Sequence, residues 1–260
     1  MKKSLFYICA AFGFASCSHI ADDDHLIYVA PAEVQCSVLI EDFTGQKCVN
    51  CPDATKVIED LQQQYGESAV IAVALHGGGF GISTDNTRMK GLATQTAEEY
   101  YTYWSIDAQP SGLVNRRGGV LGRSLWTAAV HDELSQKSSV SINDVICSVD
   151  DDDRELTVLV SCLASKAYTG RLQLWLTEDS IIAPQSLADG SVDMQYLHNH
   201  VFRASINGPW GTDLTLGEYQ AHQSFTMTIP AEYDLPHLSV VAFIYNDDGV
   251  ESVVRKRIVR

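Results

Sequence analysis

Basic residues are scarce in this sequence: 18 Lys and Arg stand against 33 Asp and Glu in 260 residues, a formal net charge of −15. So acidic a chain lacks the cations that displace counterions from phosphate backbones, which excludes nucleic acid as a partner. Long apolar runs are also lacking: beyond the first residues nothing approaches the roughly 20 that a membrane-spanning helix needs. Cysteine is thin, seven in the whole chain, well below the density of a disulfide-scaffold protein, so hydrophobic cores must carry the folding. There is no internal repeat and no low-complexity stretch. What is present, 45% hydrophobic and 20% charged residues, is the composition of a globular protein, and the length favours two modest domains.

Residues 1–17 are built differently from the rest. Lys2 and Lys3 precede an apolar stretch at 5–14, and the small residues Ala15 and Ser16 precede Cys17. That order is a signal peptide spanning 1–16. With a cysteine at the cut it resembles the lipobox of bacterial lipoproteins, although Phe14 stands where leucine is commonest. The resemblance implies lipid attachment at Cys17 and a membrane anchor; the alternative is an ordinary secretory signal with an incidental Cys17. Either way the mature chain leaves the cytoplasm, where disulfides are permitted. Residues 17–34, with Asp22, Asp23 and Asp24, read as an acidic tether that resembles a surface-sorting signal. If Cys17 carries lipid, then Cys36, Cys48, Cys51, Cys147 and Cys162 remain, an odd set with at least one thiol unpaired in the chain.

Along 35–138 the pattern alternates. A strand at 35–42 is followed by a helix at 52–65 with Gly66 as its stop, and an apolar strand at 69–75 is broken by His76-Gly-Gly-Gly79. A helix at 86–104, a short strand at 112–116 and a helix at 122–136 complete an α/β layer. Residues 139–260 hold runs rich in Val, Ile, Leu, Thr and Tyr at 140–149, 154–164, 170–178, 198–206, 223–229, 237–246 and 250–258. Seven short strands without a helix predict an all-β immunoglobulin-like sandwich domain.

Cys48-Val-Asn-Cys51 is the chemistry-bearing motif. A Cys-x-x-Cys pair serves either half a zinc site or a dithiol, and no second Cys or Cys/His pair of that spacing accompanies it in its half of the chain. A dithiol needs a strand end and a helix start, where unsatisfied N–H groups and the positive end of the helix dipole favour a thiolate. Cys48, beside Lys47, would attack, and Cys51 would resolve the mixed disulfide. No cofactor is required.

The run Val38-Leu-Ile-Glu-Asp-Phe-Thr-Gly-Gln-Lys-Cys-Val-Asn-Cys51 resembles the first core strand and active-site turn of the thioredoxin family. That resemblance implies an α/β thioredoxin-like domain at 35–138, with Asp42 as a buried proton acceptor and Pro110 as a cis-proline bordering the substrate groove. The alternatives are a solvated strand-end aspartate and a trans-proline in a loop. Lys47 replaces the usual tryptophan, Val49-Asn50 replaces Gly-Pro, and Pro52 follows the motif. The full layout, including His198-Asn-His-Val-Phe-Arg203, is similar to a family of outer-membrane lipoproteins of about twenty-eight kilodaltons, which implies an outer-membrane location.

Weaker signals have plain readings. His198 and His200 read as an exposed edge, the aspartates at 150–153 as a hairpin turn and Cys36 as core; the hairpin places Cys147 opposite Thr157, so Cys147 and Cys162 are either two buried thiols or a disulfide across sheets or in a slipped register. Two functions follow. The first is an envelope thiol–disulfide oxidoreductase acting on another envelope protein; the second is a non-catalytic binding or adhesin-like outer-membrane lipoprotein.

Overall fold

Every residue of Val-Leu-Ile-Glu-Asp-Phe-Thr is buried, because it forms a strand with a layer on each face, β1 (Val38–Thr44). The computed structural model describes residues 35–150, 152–217 and 220–259. The signal peptide, Cys17 and the tether lie outside the described residues, as does Asp151 of the aspartate turn. After β1 come α1 (Cys51–Tyr65), β2 (Val70–His76), α2 (Gln95–Tyr103), β3 (Ser111–Val114), β4 (Arg117–Gly122) and α3 (Trp126–Leu134). Strands follow: β5 (Val140–Val149), β6 (Glu155–Ala164), β7 (Tyr168–Glu178), β8 (Ile181–Ser186), β9 (Val192–His198) and β10 (Val201–Ser205). The last are β11 (Thr212–Leu216), β12 (Ala221–Thr228), β13 (Leu238–Asn246) and β14 (Gly249–Arg257).

The main sheet has nine strands, in the order β14-β13-β7-β10-β2-β1-β3-β4, with β11 also paired to β7. Its joint is β10, antiparallel to β7 and parallel to β2 where Val201 meets Ala74. The expected α/β thioredoxin-like domain followed by an immunoglobulin-like sandwich is therefore corrected. The chain is mostly β, and one sheet draws strands from both halves. The physical reason lies in β2, whose apolar Val-Ile-Ala-Val-Ala-Leu run would be an open, sticky edge without a second neighbour. The core repeats the point: Leu39, Ile71 and Leu113 pack in one cluster with Trp175, Phe202 and Phe243. A three-stranded sheet, β12-β6-β5, closes a second core in which Val158 and Val160 join Leu172 and Val240. Each aliphatic side chain buried there stabilises by roughly 1.5–3 kcal/mol.

α1 packs Ala54, Ile58 and Leu61 against Val38, Ile40 and Trp126. Pro52 sits in its first turn, where a missing N–H is harmless, and Gly66 ends it at φ 95°. The helix expected at 86–104 shrinks to α2. Asn86 Oδ1 accepts from the Arg88 and Met89 N–H groups, which bends the chain, and Gly91 lies so close to the Ser83 carbonyl that a Cβ there would clash. Thr94 then caps α2 by accepting from Ala97 N–H at 3.1 Å. β4, β8, β9 and β11 were not anticipated.

Candidate functional site

β1 delivers the chain to a tight turn at Gly45, where a Cβ would fall 2.7 Å from the Phe80 carbonyl. Cys48 follows in that turn, and Cys51 is the first residue of α1. The two are joined in a disulfide with a Cα–Cα distance of 5.4 Å. The backbone order of strand, cysteine pair and helix is thus present, but the surroundings are not those of an open dithiol. Cys48 is 3% exposed and Cys51 2%, while Val49 and Asn50 between them face solvent.

The cover is the β8–β9 hairpin, held by two glutamines. Gln185 Nε2 donates to the Cys48 carbonyl at 2.9 Å. Gln46 Nε2 donates to the Lys90 carbonyl at 2.9 Å and the Pro184 carbonyl at 3.1 Å, and its Oε1 accepts from Leu92 N–H at 3.0 Å. The Ser186 N–H donates to the Gln46 carbonyl at 2.8 Å. One buried side chain therefore ties three segments together: the disulfide turn, the 81–94 loop and the hairpin.

Successive residues of β1 point to opposite faces, so its two acidic residues meet different fates. Glu41 faces the Trp175–Phe243 cluster and forms a buried two-point pair with Arg116, at 2.6 and 3.1 Å. Asp42 faces the α1 side, opposite Ala74 and Gly112, and its Oδ1 has no partner among the described residues. Burial pushes its carboxyl up to about 8. Asp42, Cys51, His76, Tyr196 and His198 line a cavity of about 20 Å³, room for about one water. Burial lowers His76 well below the usual histidine range and His198 to about 4. At neutral pH all three groups are uncharged. Asp42 also borders a larger, solvent-open cleft, on whose wall Asp179 meets His200 at 3.1 Å and also Arg255.

Pro110 precedes β3, joined to Gln109 by a cis peptide bond. The adjacent Ser111 pairs with Phe43 at the end of β1. Pro110 is not among the residues lining the small cavity. The exposed histidine edge is corrected: His198 is buried at the end of β9, and His200 sits in the following turn with φ 58°. Cys147 pairs across the β5–β6 hairpin with Val158, one residue from the expected Thr157, and Cys162 with Ile142. Both thiols are free and pushed up to about 11 by burial. Cys36 is half-buried rather than core, donating to the Glu133 carbonyl at 3.2 Å.

A second site went unnoticed in the sequence. Tyr103, Trp104, Trp210 and Tyr245 line an open cleft of about 730 Å³, together with Asn246, Asp247 and two arginines, Arg116 and Arg171, which are paired with Glu41 and Asp213. Trp210 stands in the turn Gly208-Pro-Trp-Gly211, which is fixed by several donors. The Tyr245 hydroxyl and Arg171 Nε reach the Trp210 carbonyl at 2.8 and 2.7 Å, and the Tyr100 hydroxyl donates to the Pro209 carbonyl. The available signals were Tyr-Tyr-Thr-Tyr-Trp at 100–104 and a tryptophan in a Gly/Pro turn.

No curated protein matches the chain. Among solved structures, HBP35 of Porphyromonas gingivalis superposes with a TM-score of 0.62 at 14% identity, over 87% of this chain and 76% of that one. Protein AGR_C_4864 from Agrobacterium tumefaciens does so with a TM-score of 0.54 at 15% identity, over 88% and 97%. At such identities these likenesses concern the fold alone. The family model described as outer membrane protein Omp28 matches residues 97–260, and no thioredoxin family accompanies it. That match spans more than half of the sequence, and the chain accordingly belongs to the Omp28 family of outer-membrane proteins.

Proposed function

We propose that this outer-membrane protein is a lipid-anchored binding protein, in which Cys48–Cys51 is a covalent clamp and the aromatic cleft receives the ligand. One observation carries the reading: both half-cystines are almost fully buried under the β8–β9 hairpin, while the aromatic cleft is open. A working dithiol has to present its attacking sulfur to a partner's disulfide. Here the solvent meets Val49 and Asn50 instead. Attachment through Cys17 would tether the folded part to the membrane, leaving the cleft to meet molecules of the envelope.

A second reading, thiol–disulfide exchange with Cys48 attacking, Cys51 resolving, Asp42 taking the proton and Pro110 bordering the groove, is favoured by a single feature. Asp42 shares the small cavity with Cys51, and its raised pKa suits a proton acceptor. That chemistry requires the hairpin to lift away. The two readings part in a labelling experiment. The native protein in a mild dithiol at pH 7 is expected to keep its disulfide, with maleimide reaching Cys48 and Cys51 only at urea concentrations that unfold the chain. Rapid labelling of Cys48 and Cys51 themselves in the native protein, located by peptide mapping apart from the free Cys36, Cys147 and Cys162, together with envelope proteins trapped on a Cys51→Ala variant, would overturn the clamp and establish exchange.

A further inference from the structure

We infer that the aromatic cleft binds a neutral saccharide chain, an assignment of ligand class that rests on the binding reading above. The cleft's volume, about 730 Å³, lies in the range of small-molecule sites. Its walls are aromatic faces in a fixed arrangement. Tyr103 is 64% exposed and packs 4.4 Å from Trp210, centroid to centroid, while Trp104 meets Tyr103 edge-on at 5.1 Å. The donors that pin the Pro209–Trp210 turn hold this platform before any ligand arrives, which lowers the entropy lost on binding. The rim is polar: Asp247 is exposed with a free carboxylate, and Asn246 uses its Oδ1 for the Asp248 N–H and keeps its Nδ2 for other partners. Trp104, whose buried Nε1–H has no acceptor among the described residues, also lines the cleft.

Aromatic planes flanked by a carboxylate and an amide match a pyranose. The sugar ring presents an apolar C–H face to the rings and a girdle of hydroxyls, each both donor and acceptor, to the planar polar groups. Two rival ligand chemistries fit less well. A quaternary ammonium prefers an aromatic cage free of other cations, yet the Arg116 guanidinium already lies 4.5 Å from the Tyr245 ring centroid and 5.9 Å from that of Trp104. A proline-rich peptide uses aromatic grooves too, but has no hydroxyls to donate to Asp247.

Tryptophan fluorescence provides the test, because Trp104 and Trp210 line the cleft whereas Trp126 and Trp175, the other two of the four, are fully buried and do not. The mature protein is titrated with cellotetraose, maltotetraose and chitotetraose at millimolar concentration, and with choline and a proline-rich decapeptide in parallel. At least one tetrasaccharide is expected to give a saturable change. Tyr103→Ala should weaken it about tenfold, the equivalent of about 1.4 kcal/mol, with an unchanged melting temperature because the ring is exposed. Tyr103→Phe should bind like the parent. A response to choline or the peptide alone would overturn the saccharide assignment and leave the binding reading standing. No response to any probe overturns the assignment as well, and combined with trapped mixed disulfides on Cys51→Ala it removes the binding reading too.

Discussion

Glu41 and Asp42 are neighbours in sequence and both buried, yet one is neutralised by a guanidinium and the other is left alone. The solitary carboxyl makes stability depend on pH in a definite direction. Asp42 titrates near 8 when folded and near the ordinary aspartate value of about 3.9 when unfolded. Between those values the native state holds the extra proton, so stability falls as pH rises, by about 1.4 kcal/mol per unit, and levels off above about 8. His76 and His198 act oppositely. Their folded pKa values are depressed, so below about 6.5 the unfolded state takes up protons the native state refuses, and stability falls as pH drops. Together the three groups put the maximum near pH 6.5. Asp42→Asn is expected to abolish the decline between pH 6.5 and 8 and to raise stability at pH 7 by on the order of a few kcal/mol. Urea midpoints across pH 5–9 measure it, and an unchanged slope in the variant would show that Asp42 is not the proton carrier. The cysteine pair was visible because the x-x spacing is a local property, and Asp42 because the run around it resembles the thioredoxin strand and turn. The sequence did not reveal the histidines beside them, since His198 reaches the cavity through a hairpin more than 140 residues downstream.

The β8–β9 hairpin is the element that decides what the cysteines can do, and it was the least legible. Pro184 interrupts β8, and Ile182, Val192, Met194 and Leu197 are exposed, so neither strand shows apolar-in, polar-out alternation. The helix α1 and strands β5, β6 and β7, by contrast, follow their sequence patterns within one or two residues, because each buries a regular face in a core. Besides the packing of Ile181 and Ala183 on Leu92 and Val201, the hairpin is held through Gln46 and Gln185, so its attachment can be loosened without touching a sulfur. Gln46→Ala removes a donor from the Lys90 and Pro184 carbonyls and an acceptor from the Leu92 N–H, which keeps its bond to the Ile82 carbonyl, at an expected cost of about 1–3 kcal/mol. The same variant should raise the rate of disulfide reduction in the native protein. Reduction as slow as in the parent, despite the lost stability, would mean that the hairpin does not control access.

At the scale of the whole molecule the fold class, a thioredoxin-like layer followed by a sandwich, is where sequence reasoning fell short, for an understandable reason. Texture does change near residue 139, from mixed α/β to nearly pure β, but strand pairing is a long-range property that composition does not carry. β10 sits between β7 and β2, and the shared core of Ile71, Tyr100, Trp175 and Phe243 lies across the same junction. Residues 35–138 and 139–259 are therefore expected to unfold in one transition by calorimetry and by tryptophan fluorescence, and two separated transitions would count against the joint.

The lateness of β10 has a consequence for how such a chain is made. β2 is complete at residue 76, but the strand that closes its second edge begins only at Val201, so more than 120 residues must emerge first. Throughout that interval β2 has β1 on one side, while its other edge waits for a partner from its own chain. A biosynthetic pathway that carries this polypeptide across a membrane gains by keeping that edge shielded until Val201 and the residues after it have arrived.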